Sequence, residues 1–195
     1  SEMCIRDRNH LVINHISSES EWFENFLNDN GKGKDYFLIV DKEINLNKVF
    51  RPRANDIEKP VKINGVDKNV WCTFGHDQID FDFSNPDVLK EFISIIKFYL
   101  DNGVKLFRLD AIAFIWKQKG TRCINLNQTH EIIRLFRTLI DHCYEDIVLL
   151  TETNILKREN LTYFGNSNEA HWIYNFSLPP ILIYTMITGD CTRLV

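Results

Sequence analysis

The chain has 195 residues, 44% of them hydrophobic and 12% aromatic, with a formal net charge of -4. That is enough for one sizeable core with room for a small insertion, and it excludes an electrostatic grip on nucleic acid or anionic lipid. No apolar run reaches the roughly 18 residues a membrane span needs, and no signal-peptide pattern leads the chain.

In chain order, "SEMCIRDR" lacks turn or cap logic, and "MCIRDR" is what a common transposon-end sequencing adapter encodes in one frame. Residues 1 to about 8 are therefore expected to be non-native or disordered. "LVINH" (11–15) is a short apolar run and reads as a buried strand. "SESEWFENFLND" (18–29) reads as a helix with Trp22, Phe23, Phe26 and Leu27 on one side. Over 30–84, Gly31, Gly33, Pro52, Pro60 and Gly65 punctuate short runs such as "YFLIV" and "VWCTF", which predicts irregular or small-sheet structure, an insertion rather than a main layer. Asn85 is a helix cap, with Pro86 at the first helical position and Asp87 in the first turn. Val88, Phe92, Ile95, Ile96 and Tyr99 give that helix its apolar stripe, and Gly103 ends it.

"GVKLFRLDAIAF" (103–114) reads as a buried strand, then a polar connection spans 117–127. "THEIIRLFRTLIDHC" (129–143) predicts a helix with Ile132, Ile133, Phe136, Leu139, Ile140 and Cys143 facing in. "DIVLLTE" (146–152) and "HWIYNF" (171–176) read as strands, and "LPPILIYTMITGD" as a helix. Such alternation means α/β architecture with a parallel sheet, doubly wound or a barrel. No Gly-rich phosphate loop follows a strand, so a dinucleotide site is not indicated. The cysteines (Cys4, Cys72, Cys123, Cys143, Cys191) are odd in number and dispersed, which points to reduced thiols and a cytoplasmic setting.

Charges inside an apolar strand are rare unless paired or used for chemistry. Alternation puts Leu106, Arg108 and Asp110 on one face, and Asp110 at the strand's C-terminal end, where α/β folds carry their chemistry. Glu152 stands at the matching end of the next strand. Neighbouring strands lie about 4.8 Å apart, so the carboxylates could sit roughly 5 Å apart, the gap of a retaining glycosidase. Arg108 would hold Asp110 ionised and oriented. The competing reading is a helix cap or a loop salt bridge.

"LFRLDAIAF" resembles the nucleophile region of the α-amylase superfamily, the glycoside hydrolase family 13 (β/α)8 barrels, with its R-x-D core. "LVINH" resembles the end of that family's first signature, and "LLTETN" its acid/base region. The resemblance implies a partial (β/α)8 TIM barrel, about strands three to six, formed by residues 9–15 and 85–195, with an inserted B-type subdomain over 16–84. It implies Asp110 as nucleophile, Glu152 as general acid/base, Arg108 orienting Asp110, and Asn14 and His15 as the family's Asn-His pair, with His15 bonded to the sugar. The signature opens elsewhere with an Asp where His10 stands, which would be a damaged end. A third acid, an Asp in an Asn-His-Asp-like motif after strand seven, is also implied. A chain without it would be a fragment, inactive by itself.

"VFRPR" (49–53), "VWCTFGHDQIDFDFSNPDV" (70–88) and "YNFSLPPILIYTMITGD" (174–190) resemble the sucrose phosphorylase subfamily, with "TETN" and "YFG…EAHWIYNFSLPP" nearer its glucosylglycerate phosphorylase branch. The implied reaction is transfer of glucose from an α-glucoside to inorganic phosphate through a glucosyl-enzyme, with no metal or organic cofactor and no nucleic-acid or membrane partner. Arg53 would meet phosphate in the loop roofing the site, or "FRPR" is an ordinary basic loop. Phe50 stands where sucrose-specific members tend to have Tyr.

Gln78, Asp80 and Asp82 would share a strand face and either bind sugar hydroxyls, flank a calcium or, the favoured reading, make loop hydrogen bonds. Trp71 and Phe74 would stack on sugar or fill the insertion's core. His130 and His142 are expected to face solvent or cap. Two rival readings stay open: a hydrolase or transglucosidase of the same superfamily, and a non-catalytic barrel serving as scaffold or binding subunit.

Overall fold

The computed structural model describes residues 8–40 and 45–194. Residues 1–7 of the suspected adapter segment lie outside them, whereas Arg8 begins the first strand. In chain order the elements are β1 (Arg8–Val12), β2 (His15–Ser17), α1 (Glu21–Leu27), β3 (Glu58–Ile63), β4 (Val66–Trp71), β5 (Gln78–Asp80), α2 (Pro86–Asp101), β6 (Leu106–Asp110), α3 (Asn127–Cys143), β7 (Val148–Thr151), α4 (Lys157–Asn160), β8 (Trp172–Ile173) and α5 (Leu178–Thr188).

Four strands form one parallel sheet in the order β1-β6-β7-β8. Strand order follows chain order without reversal, so the sheet is singly wound like an arc of barrel wall; a doubly wound sheet would switch direction. Helix α2 leads from the β1 side to β6, and α3 from β6 to β7. Asn85 caps α2 by accepting from the Asp87 N–H at 2.9 Å, with Pro86 in the first turn. Val88, Phe92, Ile96 and Leu100 form its buried face, at the four-residue spacing of one helical stripe. Gly103, at φ +87°, takes the left-handed conformation that turns the chain into β6. On β6, Phe107 and Leu109 are fully buried, while Arg108 and Asp110 point to the opposite face and are half-buried.

Between β1 and α2 the chain builds two antiparallel pairs, β2 with β5 and the β3–β4 hairpin. Aromatic side chains tie them to the sheet. Phe37 stacks on Phe81, and Phe81 meets Phe92 of α2 edge-on. Phe23, Phe26, Phe37, Ile79 and Phe81 thus share one hydrophobic cluster with Phe107 and Leu109. A smaller cluster holds Val40, Val49, Ile57, Trp71 and Cys123.

Several expectations are corrected. The "LVINH" run is two strands: β1 ends at Val12, and His15 opens β2 in a different sheet. The strand at 103–114 stops at Asp110, because Ala111 takes a left-handed conformation (φ 53°) and 112–114 form a single 3-10 turn. "HWIYNF" yields only Trp172–Ile173 as strand. Leu139 and Cys143 are exposed at the rim of α3, since burial follows Ile132, Ile133, Phe136 and Ile140. Helix α5 is apolar on all sides and buries none of its residues.

Candidate active site

Asp110 and Glu152 meet at the C-terminal edge of the parallel sheet. Register pairs Leu109 with Thr151, and the Glu152 N–H donates to the Leu109 carbonyl at 3.0 Å, which carries the pairing one residue past β7. Arg108 spans the two acids. Its Nη1 donates to Asp110 Oδ1 at 2.5 Å, and its Nη2 lies 3.8 Å from Glu152 Oε1. Burial disfavours the guanidinium charge, but the bond to Asp110 and the fields of Asp110 and Glu152 outweigh it, and the Arg108 pKa is raised. The Tyr174 ring covers the guanidinium at 5.0 Å, so Arg108 is clamped from two sides.

The left-handed turn at Ala111 has a local role. It points the Ala111 N–H at Glu152 Oε2, 3.2 Å away. One residue past the Asp110 strand end, the backbone therefore holds the second acid. A non-glycine residue in this conformation costs of order 1–3 kcal/mol and persists where the surroundings over-determine it. His10, placed opposite Arg108 by the β1–β6 register, puts Nε2 3.2 Å from Asp110 Oδ1.

Both acids line a cleft of about 440 Å³ together with His15, Phe50, Pro52, Arg53, Phe74, Gln78, Ala111, Phe114, Thr153 and Asn154. The structure thus gathers six of the eight sequence-derived site residues around this one space; Arg108 and Asn14 stand behind it. The Phe50 ring lies 6.2 Å from Phe114 and 5.4 Å from the Arg122 guanidinium. Arg53 is exposed and has no ion-pair partner among the described residues, whereas Arg51 lies 3.7 Å from Asp56.

Asn14 is fully buried behind His15, in a polar cluster that sequence reasoning missed. Lys117, 3% exposed, places Nζ 2.6 Å from Oδ2 of the fully buried Asp80 and 3.1 Å from Asn14 Oδ1. Thr73 donates to Asp80 through both N–H and hydroxyl, at 2.9 and 2.5 Å. Asn14 Nδ2 lies 2.9 Å from Asp80 Oδ2 and 3.3 Å from His15 Nδ1. His15 has its pKa lowered, chiefly by burial, against the opposing fields of Asp80 and Asp110. Of the proposed Gln78-Asp80-Asp82 face, only Gln78 reaches the cleft. Asp80 is locked in the cluster, and Asp82 accepts from Ser84. The only hint in the sequence is that Lys117 directly follows the apolar run AIAFIW (111–116).

Trp71 is buried in the small cluster, whereas Phe74 lines the cleft, its ring 5.2 Å from His15. His130 is buried rather than solvent-facing: its Nδ1 lies 2.6 Å from Glu169 Oε2, which Arg134 also engages through Oε1 at 3.1 Å. This pairing ties α3 to the loop before β8.

The α-amylase catalytic-domain model (Alpha amylase, catalytic domain) matches residues 7–187. The glucosylglycerate phosphorylase of Allomeiothermus silvanus is 43% identical over 185 residues, covering 94% of this chain and 33% of that protein. The glucosylglycerate phosphorylase of Escherichia coli K12 is 41% identical over 178 residues, with 90% and 32% covered. Among solved structures, the sucrose 6F-phosphate phosphorylase from Thermoanaerobacter thermosaccharolyticum superposes with a TM-score of 0.81 at 27% identity, covering 96% of this chain and 40% of that one. The chain spans about a third of the length of the curated relatives it matches. By the family match over nearly its whole length, the chain belongs to the α-amylase catalytic-domain family.

Proposed function

We propose that this chain is the central part of a retaining α-glucoside phosphorylase, a (β/α)8 barrel in which residues 16–84 form the inserted subdomain that roofs the cleft. The reading rests on one observation: Arg108 lies between two carboxylates from adjacent strand ends, both facing one cleft. Such a pair suits double displacement at a sugar carbon.

In the first step an Asp110 oxygen attacks the anomeric carbon, the glycosidic C–O bond breaks, and the departing oxygen takes the Glu152 proton. Hydrogen phosphate then attacks the same carbon, the bond to Asp110 breaks, and the phosphate proton passes to the Glu152 carboxylate. Two inversions give α-glucose 1-phosphate and return both acids to their starting states. His15 and Gln78 bind sugar hydroxyls, and the exposed Arg53 guanidinium meets the phosphate. Phe50, in place of a hydroxyl-bearing Tyr, points away from sucrose and towards a glucosylglycerate-like donor, in line with the glucosylglycerate phosphorylases it resembles. The protein acts on small molecules in the cytoplasm and needs no metal or organic cofactor.

The test is an assay of the full-length protein on glucosylglycerate and sucrose, with and without phosphate. Glucose 1-phosphate that forms only with phosphate supports the reading. Free glucose in equal amounts under both conditions would make the protein a hydrolase of the same family. No turnover of any α-glucoside would favour a scaffold.

A further inference from the structure

The buried cluster behind His15 does more than fill space. Lys117 carries only donors, so the Asn14 atom beside it, 3.1 Å away, must be the carbonyl Oδ1. Asp80 Oδ2 also lies 2.6 Å from the ammonium and accepts from Asn14 at 2.9 Å. A flipped amide would aim N–H at the ammonium and carbonyl oxygen at the carboxylate, losing both bonds. The charges of Lys117 and Asp80 therefore fix the amide, and its remaining N–H faces His15 Nδ1 at 3.3 Å. That nitrogen must offer a lone pair.

We propose that Lys117 and Asp80 are positioning residues which act through the Asn14 amide to lock His15 as the neutral tautomer protonated at Nε2, so that His15 enters the cleft as an obligate hydrogen-bond donor. Nε2 has no protein partner among the described residues, and His15 lines the cleft. The donor is thus free for a sugar hydroxyl or ring oxygen. An imidazolium would turn an Nδ1–H against the Asn14 N–H, so the same amide opposes protonation. This agrees with the lowered His15 pKa. The groups facing His15 are Asp80 and Asp77 of the β5 region, Asp110 of β6 and Lys117 of the following connection. The three acids favour protonation, while burial and Lys117 oppose it.

The role in sugar binding rests on the phosphorylase reading; the tautomer does not. The experiment is a long-range proton–nitrogen NMR spectrum of full-length protein labelled with 15N-histidine, with His15 assigned by the loss of its signals in His15→Gln. The expected result is Nδ1 at the shift of an unprotonated nitrogen, Nε2 at that of a protonated one, and a preference of about tenfold or more. In Lys117→Met/Asp80→Leu, which leaves no lone buried charge, the two nitrogen shifts should move together as the tautomers mix. Asn14→Ala gives the same readout if the pair variant does not fold. Nδ1–H in the unaltered protein, or an undisturbed Nε2–H tautomer in these variants, overturns the proposal. A locked tautomer in a protein that makes no glucose 1-phosphate refutes the phosphorylase reading alone. Mixed tautomers in an active phosphorylase refute the relay alone.

Discussion

Arg108 donates to Asp110 from the same face of one strand, two residues away, at 2.5 Å. The strand's own two-residue period builds this contact, so it needs no long-range folding event to form. The guanidinium then reaches Glu152 on the neighbouring strand. Arg108→Lys would keep the charge but lose the fork that spans two carboxylates. A charge-assisted hydrogen bond is worth about 1.5–3 kcal/mol, so kcat/KM should fall about 10- to 100-fold. Steady-state phosphorolysis with a wild-type melting temperature as control checks this, and unchanged kcat/KM would remove Arg108 from the site.

Glu152→Gln keeps the Ala111 N–H contact but cannot donate a proton to a leaving oxygen. Turnover of donors with poor leaving groups should drop about 10²- to 10⁴-fold, with a much smaller loss for α-glucosyl fluoride, whose leaving group needs little help. Equal losses on both donors would assign Glu152 another role.

Arg53 lines the cleft with no competing ion pair among the described residues. Arg53→Ala should raise the KM for phosphate about tenfold or more and divert the glucosyl-enzyme towards water, seen as free glucose in the product mixture. An unaltered phosphate KM would reduce "FRPR" to a surface loop.

The His15 pKa lies below its ordinary value of 6.5, chiefly through burial. The folded protein therefore binds fewer protons there than the unfolded chain. The stabilisation this brings is fully present above pH 6.5 and is lost as pH falls through the lowered folded value. His171 is lowered in the same sense by burial and by Arg137. Denaturation midpoints measured across that window should fall towards acid, and the fall should be shallower in His15→Gln. An identical slope would contradict the assignment.

Lys117→Met leaves the Asp80 carboxylate buried without its cation, and such a loss costs about 3–5 kcal/mol. Adding Asp80→Leu should restore most of the stability, because an apolar pair can replace a buried ion pair at little cost. Urea denaturation of the two variants decides; a single variant as stable as the double one would show that the pair is not coupled.

The local features were legible because they follow from period and chemistry over a few residues: the Asn85 cap, the α2 and α3 stripes, and Arg108 and Asp110 on one face. Long-range partners were not. Nothing near Asp80 announces Lys117, and nothing near His130 announces Glu169, since each pair joins a strand or helix residue to a distant connecting segment. The break between β1 and β2 was hidden because Ile13 and Asn14 are as buried as strand residues. Ala111 falls within a strand-like sequence because alanine gives no sign of a left-handed turn. Helix α5 shows the reverse case. Its all-round apolar sequence predicts burial, yet Ile183, Met186 and Ile187 are 59%, 85% and 79% exposed. The 195-residue chain expressed by itself, with β1 and β8 as open sheet edges, is expected to associate; a monomer by light scattering would contradict this.

Double displacement requires a covalent bond between one carboxylate and glucose, which mass spectrometry of the digested protein detects. Full-length protein is treated with a slow fluorinated α-glucosyl fluoride and digested. One sugar adduct is expected, on the peptide carrying Asp110, and phosphate discharges it. An adduct on any other residue, or one that phosphate fails to discharge, would contradict it.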